Sequence, residues 1–458
     1  MKQFYTASDI ERAVESGARE LTVAAFDVVT DEARDLAERL GVRITQSPPS
    51  TPSLVTPPTQ TPLITTPPER TTASAWGGEA GDEFSEIRRR EFPHLTKIHL
   101  SNCSQGAQPI RAAQAIEDFV DNWRQEGMDW GYWLKVVREA TATFAQLINA
   151  DANDVAVSFS VSSVVGTIAS SLDYKGIRNR VVTTEIEFPT VPQIWYAHEK
   201  FGAQVDVVPV RPDGTVLVED YERRVDGKTL VLSAPFVYYR NGYKQDLAEL
   251  ASLAHRSGGL LLVDAYQGLG TAPIDVKAMD IDFLVSGNLK YLLGVPGIAF
   301  AYTKREIVET LKPASTGWFG QADPFTFDYH LNFAHDGRRL ETGTPPALAA
   351  FAANASMKLI VEVGVNRIKQ KVDALSRHCI EKAKERNLDL VSDFDIEHKA
   401  PTTAIRVPNS HDLELELRKR DIVCSSRGDV IRIAPHFFNT EEEIDHTIDA
   451  IAELAHRS

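Results

Sequence analysis

The stretch FLVSGNLKYLLGVPG, residues 283–297, decides the fold. Three apolar residues, Phe283, Leu284 and Val285, lead toward one cation, Lys290, and a glycine-rich exit follows. Such a run reads as a strand buried on both faces, and strands of that kind belong to parallel sheets covered by helices. Just upstream, LLLVDAYQGLG (residues 260–270) repeats the pattern with an acid, because Asp264 ends another apolar run. In open parallel sheets, ligands sit beyond the carboxyl ends of the strands. A lysine and an aspartate therefore fall where a ligand would lie. Taken singly, each has an ordinary reading: a surface lysine after a strand, and an aspartate that caps a turn.

Further strands are expected at 155–159, 180–183, 204–208 and 229–233, with helical stretches between most of them. The alternation predicts an α/β fold with a mainly parallel sheet. After Thr344 the pattern turns to long helices over 347–386, then to a short α+β section with strands at 403–407 and 430–433. Thr440 and Glu443 form a capping box for a last helix. A large domain over 84–345 and a smaller C-terminal domain over 346–458 are expected. Residues 47–74 are dense in Pro and Thr and nearly uncharged, which suits an extended linker reaching to residue 83. The linker sets apart a short α/β segment, 1–46. Thr6 and Asp9 would cap a helix through Val14, Glu20–Val23 would form a strand, and Thr30 would cap the helix of DEARDLAERL, which stops at Gly41 before a strand at 42–44. A segment of that size is marginal alone and reads as a docking module.

The formal charge of −15 over 458 residues sets the chain against nucleic acid and anionic membranes. No apolar run is long enough to span a bilayer, and the charged first residues do not form a secretory signal. The cysteines, Cys103, Cys379 and Cys424, show no CxxC spacing. Neither a disulfide framework nor a metal site is expected, and a reducing cytoplasm fits.

Two more strand ends add to the lysine and the aspartate. In VSFSVSSVVGTIASSL (157–172) a strand runs into serines that open a helix. Backbone N–H groups and the helix dipole there suit a phosphate, although serine capping is the commoner meaning of the pattern. In TTEIEFPTVP (183–192), Phe188 follows a strand and can cover a flat ring. An acid for a pyridinium proton, a lysine for a covalent imine, a phosphate site and a stacking aromatic are together the needs of pyridoxal 5′-phosphate.

At this point a resemblance enters. Over 180–450, with VDAYQGLG, SGNLKYLLGVPG, TGWFGQADPF, RRLETGTPP and IRIAPHFFNTEEEID, the chain resembles the class V aminotransferase family of fold-type-I pyridoxal-phosphate enzymes. That family includes cysteine desulfurases, selenocysteine lyases, isopenicillin N epimerases and kynureninases. The resemblance implies that Lys290 carries the cofactor and Asp264 pairs with its ring nitrogen. It also implies that Gln267 contacts the ring hydroxyl and Phe188 the ring face, with Ser162 and Ser286 at the phosphate. Thr344 would reach a phosphate across the interface of a homodimer. Arg432 would bind the substrate α-carboxylate, and Asn102, in HLSNCSQGAQP, would belong to the substrate side.

The departures from the family narrow the reaction. Desulfurases carry a nucleophilic cysteine on a flexible loop well before the carboxylate arginine, and histidines on the ring face and before the lysine. Here Cys424 precedes Arg432 by eight residues, and the two histidine positions hold Phe188 and Leu289. Cys424 reads as a small buried hydrophobe. A kynureninase shares the stacking Phe but differs at Gln267 and Leu289. The expected activity is transamination or carbon–sulfur β-elimination of a small amino acid, with desulfuration, kynureninase-like hydrolysis and epimerisation as alternatives. Tyr239, Arg240, Trp318 and His335 are candidates for shaping the pocket. A scaffold protein with an inactive enzyme body is the non-enzymatic alternative, and the joint presence of Lys290, Asp264 and Arg432 speaks against it. The segment VVTDEARDLAERLGVRIT also resembles short helices on proteins of bacterial microcompartments and, more faintly, a peripheral subunit-binding domain. It implies a docking partner, with a microcompartment as one location.

Overall fold

A computed structural model describes residues 83–392 and 395–455 and, before them, 4–5, 10, 13–14, 18–23, 28–29 and 31–46. The Thr6–Asp9 box, the Thr30 cap and the Pro/Thr stretch before residue 83 lie outside the described residues. The chain falls into two compact units, Met1–Thr71 and Thr72–Ser458.

In the first unit, Glu20–Val23 pairs in parallel with Arg43–Gln46, and Asp31–Leu40 is helical. Val23, Ala33, Ala37 and Val42 share a small core with Ile10 and Val29.

The second unit is built on a seven-stranded sheet: β1 (Val155–Ser158), β2 (Arg180–Thr184), β3 (Gln204–Val208), β4 (Thr229–Pro235), β5 (Leu260–Asp264), β6 (Phe283–Gly287) and β7 (Ala299–Thr303), in the order β1-β7-β6-β5-β4-β2-β3. Strands β6, β5, β4, β2 and β3 pair in parallel. Strand β7 runs antiparallel to both β6 and β1. It is absent from the sequence-based reading, which takes the segment after Phe283–Val285 for a glycine-rich exit that ends at Gly297, just before the strand begins at Ala299. Alternate residues feed two cores, one on each face: Leu261, Val263 and Leu284 on one side, Leu262, Phe283 and Val285 on the other. That alternation is why these strands read as continuous apolar runs.

Helices cover both faces. They include α1 (Ile110–Glu126), α2 (Trp130–Leu147), α3 (Val161–Ser171) and α4 (Thr190–Ala197). The expected long helix over 347–386 is two, α5 (Ala347–Val363) and α6 (Val365–Glu385), broken at Gly364, whose φ of +88° favours glycine. A four-stranded antiparallel sheet follows, from β8 (Asp389–Leu390), β9 (Thr403–Arg406), β10 (Ser425–Arg427) and β11 (Val430–Ile433), in the order β8-β9-β11-β10. The last helix, α7 (Glu441–Ala455), has the expected capping box: Glu443 N donates to Thr440 Oγ1 at 3.3 Å and Thr440 N to Glu443 Oε2 at 3.2 Å. Among the described residues no single helix is long and apolar enough to cross a membrane.

Ile98–His99 pairs in parallel with Ile422–Val423, so the start of this unit is joined to its C-terminal part.

Candidate active site

A cavity of about 350 Å³ opens at the carboxyl ends of the parallel strands. Ser160 and Ser162 enter it after β1, Glu187 and Phe188 after β2, Asp264 and Gln267 from β5, and Lys290 past β6. Cys103 and Ser104 close it from the segment after Ile98–His99, and Arg427 and Arg432 from β10 and β11.

Lys290 is held by its backbone. Its carbonyl accepts from Leu293 N at 3.0 Å, and the carbonyl of Leu289 accepts from Gly106 N at 2.7 Å. Gly287 lets the Tyr266 ring in close, since a Cβ there would lie 2.0 Å from the Tyr266 ring carbon Cζ. The ammonium stands 4.2 Å from the centre of that ring and 5.6 Å from that of Phe188. Burial brings the amine down to about 8; the Asp264 carboxylate and Cys103 oppose the fall, and the guanidinium groups of Arg432 and Arg427 add to it.

Two acids lie below. Asp264 is 6% exposed and accepts from Tyr266 N at 2.9 Å. Burial raises its carboxyl above the usual range, against the pull of that N–H and of Lys290. Glu187 is buried and accepts only from Phe188 N, at 2.9 Å. Burial pushes it well above its usual range, and the neighbouring Asp264 charge pushes it further. Two carboxyls so placed do not ionise together. Each accepts one N–H, but only Asp264 has a cation, Lys290, to favour its charge, so the proton belongs to Glu187.

This gives the folded chain a pH-dependent cost. Glu187 takes up a proton on folding wherever the unfolded side chain would be ionised, that is, above its ordinary value of 4.5. Stability is full below that pH and falls as pH rises, by about 1.4 kcal/mol per unit at most, until the folded value is passed. Glu187→Gln is therefore expected to raise the thermal midpoint of the apoprotein at pH 8 and to leave it nearly unchanged at pH 4.5. An equal shift at both pH values would contradict the assignment.

Arg432 is 1% exposed. Its Nη1 donates to the Tyr239 carbonyl at 2.7 Å, and its Nη2 to Ser104 Oγ and Ser425 Oγ, both at 2.9 Å. Gln267 Nε2 donates to the Cys103 carbonyl at 3.1 Å. Ser160 caps α3 by accepting from Ser163 N, and Ser162 Oγ lies 2.7 Å from Thr190 Oγ1. Phe188 is half exposed, its ring edge-on to Tyr239.

Six of the expected residues thus line this one cavity: Lys290, Asp264, Gln267, Ser162, Phe188 and Arg432. Three do not. Ser286 is buried in β6 with its hydroxyl given to the Gly287 carbonyl. Asn102 is buried between the Ala434 carbonyl and Ala107 N, beside the cavity but turned into the fold. Thr344 is exposed at the surface of this chain. Of the pocket-shaping candidates, Tyr239 lines the cavity. Arg240 is paired with Asp429, His335 with Glu309, and Trp318 sits in an aromatic cluster with Trp130 and Phe325. Sequence reasoning missed Glu187, Tyr266, Cys103 and Arg427. Only Tyr266 carried a signal, its place between Asp264 and Gln267.

The cavity fits pyridoxal phosphate on one structural ground. Gln267 Oε1, Glu187 Oε2 and Arg432 Nε are buried without a hydrogen-bond partner, all on this cavity. Unpaired buried polar atoms are costly, so three around one space mark a site built for a polar ligand.

Comparison with known proteins agrees. The family description "Aminotransferase class-V" matches residues 114–446. The chain is 38% identical to the uncharacterized aminotransferase YcbU of Bacillus subtilis, over 81% of this chain and 98% of that protein. It is 25% identical to a kynureninase of Bacillus cereus, over 81% of this chain and 92% of that protein. Its fold matches a cysteine desulfurase from Thermococcus onnurineus with a TM-score of 0.74 at 20% identity, covering 81% of this chain and 98% of that one.

Proposed function

The chain belongs to the class V aminotransferase family and is a pyridoxal-phosphate-dependent enzyme, and on that premise we propose that it acts at the α-carbon of a small amino acid, by transamination or by β-elimination at a carbon–sulfur bond. The observation that carries this reading is the Lys290 amine, brought down to about 8 in a cavity that Asp264 and Arg432 also line.

Asp264 would hold the ring nitrogen of the cofactor, Gln267 its ring hydroxyl, Phe188 one ring face, and Ser162 at the start of α3 its phosphate. When bound, the cofactor supplies the sink for the electron pair left behind by the departing Cα proton. Arg432 binds the substrate α-carboxylate with its planar fork, a use for the Nε that has no partner within the chain. Lys290 Nζ takes the Cα proton, and an amine near 8 is well matched to that task at neutral pH. Desulfuration through Cys424 finds no support. The thiol is 1% exposed, in a core shared by α6, the four-stranded sheet and α7, and burial pushes its pKa well up.

A homodimer is part of the proposal. Phe327, Tyr329 and Leu331 leave 76%, 90% and 67% of their surface exposed on one segment, an apolar patch that suits a second copy. Sedimentation equilibrium tests it, and the 50.7 kDa of one chain would overturn it. Residues 1–46 are proposed to dock the enzyme on a cytoplasmic partner, a microcompartment among the candidates. Deleting 1–74 is then expected to spare activity and to remove co-purifying proteins; retention of those proteins would end the docking idea.

The reaction is tested by incubating the holoenzyme with a panel of amino acids. Cofactor ending as pyridoxamine phosphate means transamination. Pyruvate, ammonia or sulfur products with the aldehyde form intact mean a lyase. If no amino acid alters the cofactor or is consumed, the reading fails.

A further inference from the structure

Arg432 shares its cavity with a second guanidinium. Arg427 lies five residues earlier on β10, opposite Val430 of β11, next to a turn at Gly428 with φ +57°. The two arginines are committed differently. Arg432 is buried and spends two nitrogens on a carbonyl and two hydroxyls. Arg427 is exposed, and its guanidinium donates only to the adjacent Ser426 carbonyl, at 3.3 Å.

The acids nearest in the hairpin are already engaged. Asp429 accepts from Arg240 Nη2 through Oδ1 and from Arg406 Nε through Oδ2. Glu414 accepts from Ser426 N and Ser426 Oγ through one oxygen, and Arg418 faces its other. Within the cavity, Asp264 is tied to Tyr266 N and faces Lys290, and Glu187 accepts from Phe188 N, so neither acid is paired with Arg427. The Arg427 charge is therefore uncompensated among the described residues, on the same wall as the proposed carboxylate site.

A fork of N–H donors facing a cavity is a site for an oxyanion. Two such forks on one wall match a molecule with two anionic ends. We infer that Arg427 recognises a second anionic group, and that the substrate is an α-amino acid whose side chain ends in a carboxylate, sulfinate or sulfonate. Arg432 holds the α-carboxylate and Arg427 the far end, so a neutral side chain leaves one charge unmatched. This inference rests on the amino-acid reading of the site.

The test uses holoenzyme and two kinds of readout. In calorimetry, glutarate is expected to bind about tenfold more tightly than butyrate, the gain typical of one added charge-assisted contact. Arg427→Gln removes that preference and Arg427→Lys restores part of it. In kinetics, the ratio of kcat/KM for glutamate, aspartate or cysteine sulfinate to that for alanine falls about tenfold in Arg427→Gln. Equal losses for anionic and neutral amino acids would overturn the inference. So would a loss of cofactor affinity with the ratio intact, which would place Arg427 at the phosphate instead. If neutral amino acids react and the wild type shows no preference for anionic ones, this inference alone falls. If no amino acid reacts at all, the amino-acid reading falls and takes it along.

Discussion

Lys290→Ala protein, purified in the presence of pyridoxal phosphate, is expected to carry no cofactor that borohydride can fix to the chain and to lose the visible absorbance that the link gives. The same change removes the base proposed for the Cα proton, and a positioned base is worth about 10²–10⁴ in rate. Turnover should fall by at least that much, and adding a primary amine should recover part of it. A pH dependence comes with this. Only the neutral amine attacks an aldehyde, and burial has brought Lys290 to about 8. Reloading of the apoprotein should accelerate as pH rises through about 8 and level off above it, whereas an ordinary lysine would keep gaining toward 10.5. A reduced pyridoxyl adduct on any other lysine, with 290 unmodified, would overturn the assignment.

Arg432→Lys keeps the charge and removes the fork. An ammonium has three donors around one nitrogen and cannot serve the Tyr239 carbonyl, two serine hydroxyls and a substrate carboxylate together. Spoiling a buried charged contact costs about 2–5 kcal/mol, or roughly 30- to 4,000-fold. We expect kcat/KM for the best amino acid to drop about 10²–10³-fold, with the absorbance and affinity of the bound cofactor unchanged. The control is the amine that lacks the carboxylate. Its reaction, slow in the wild type, should be nearly indifferent to the change. Equal losses for amine and amino acid would show that Arg432 supports the fold rather than the substrate.

Much of this site is legible in the chain because strand ends are legible. Asp264 ends one apolar run and Lys290 follows five residues after another, and the parallel sheet delivers both to one edge. What is not legible comes from two physical sources. One is side-chain direction just past a strand. Glu185 and Glu187 look alike in TTEIEF, yet Glu185 faces solvent and accepts from Val210 N, while Glu187 turns inward. The other is distance along the chain. Cys103, Ser104 and Arg427 reach the cavity through pairings such as Ile98–His99 with Ile422–Val423, which no local pattern announces.

That pairing of Ile98–His99 with Ile422–Val423 also orders events during synthesis. Every strand of the seven-stranded sheet has left the ribosome once residue 303 has emerged, so the pocket floor with its lysine and acid can assemble while translation continues. The arginine wall must wait for a pairing that closes a loop of more than three hundred residues, slow by the rule that distant contacts form late. The strands that bring the lysine and the acid together are thus made long before the arginines that would choose what reacts there.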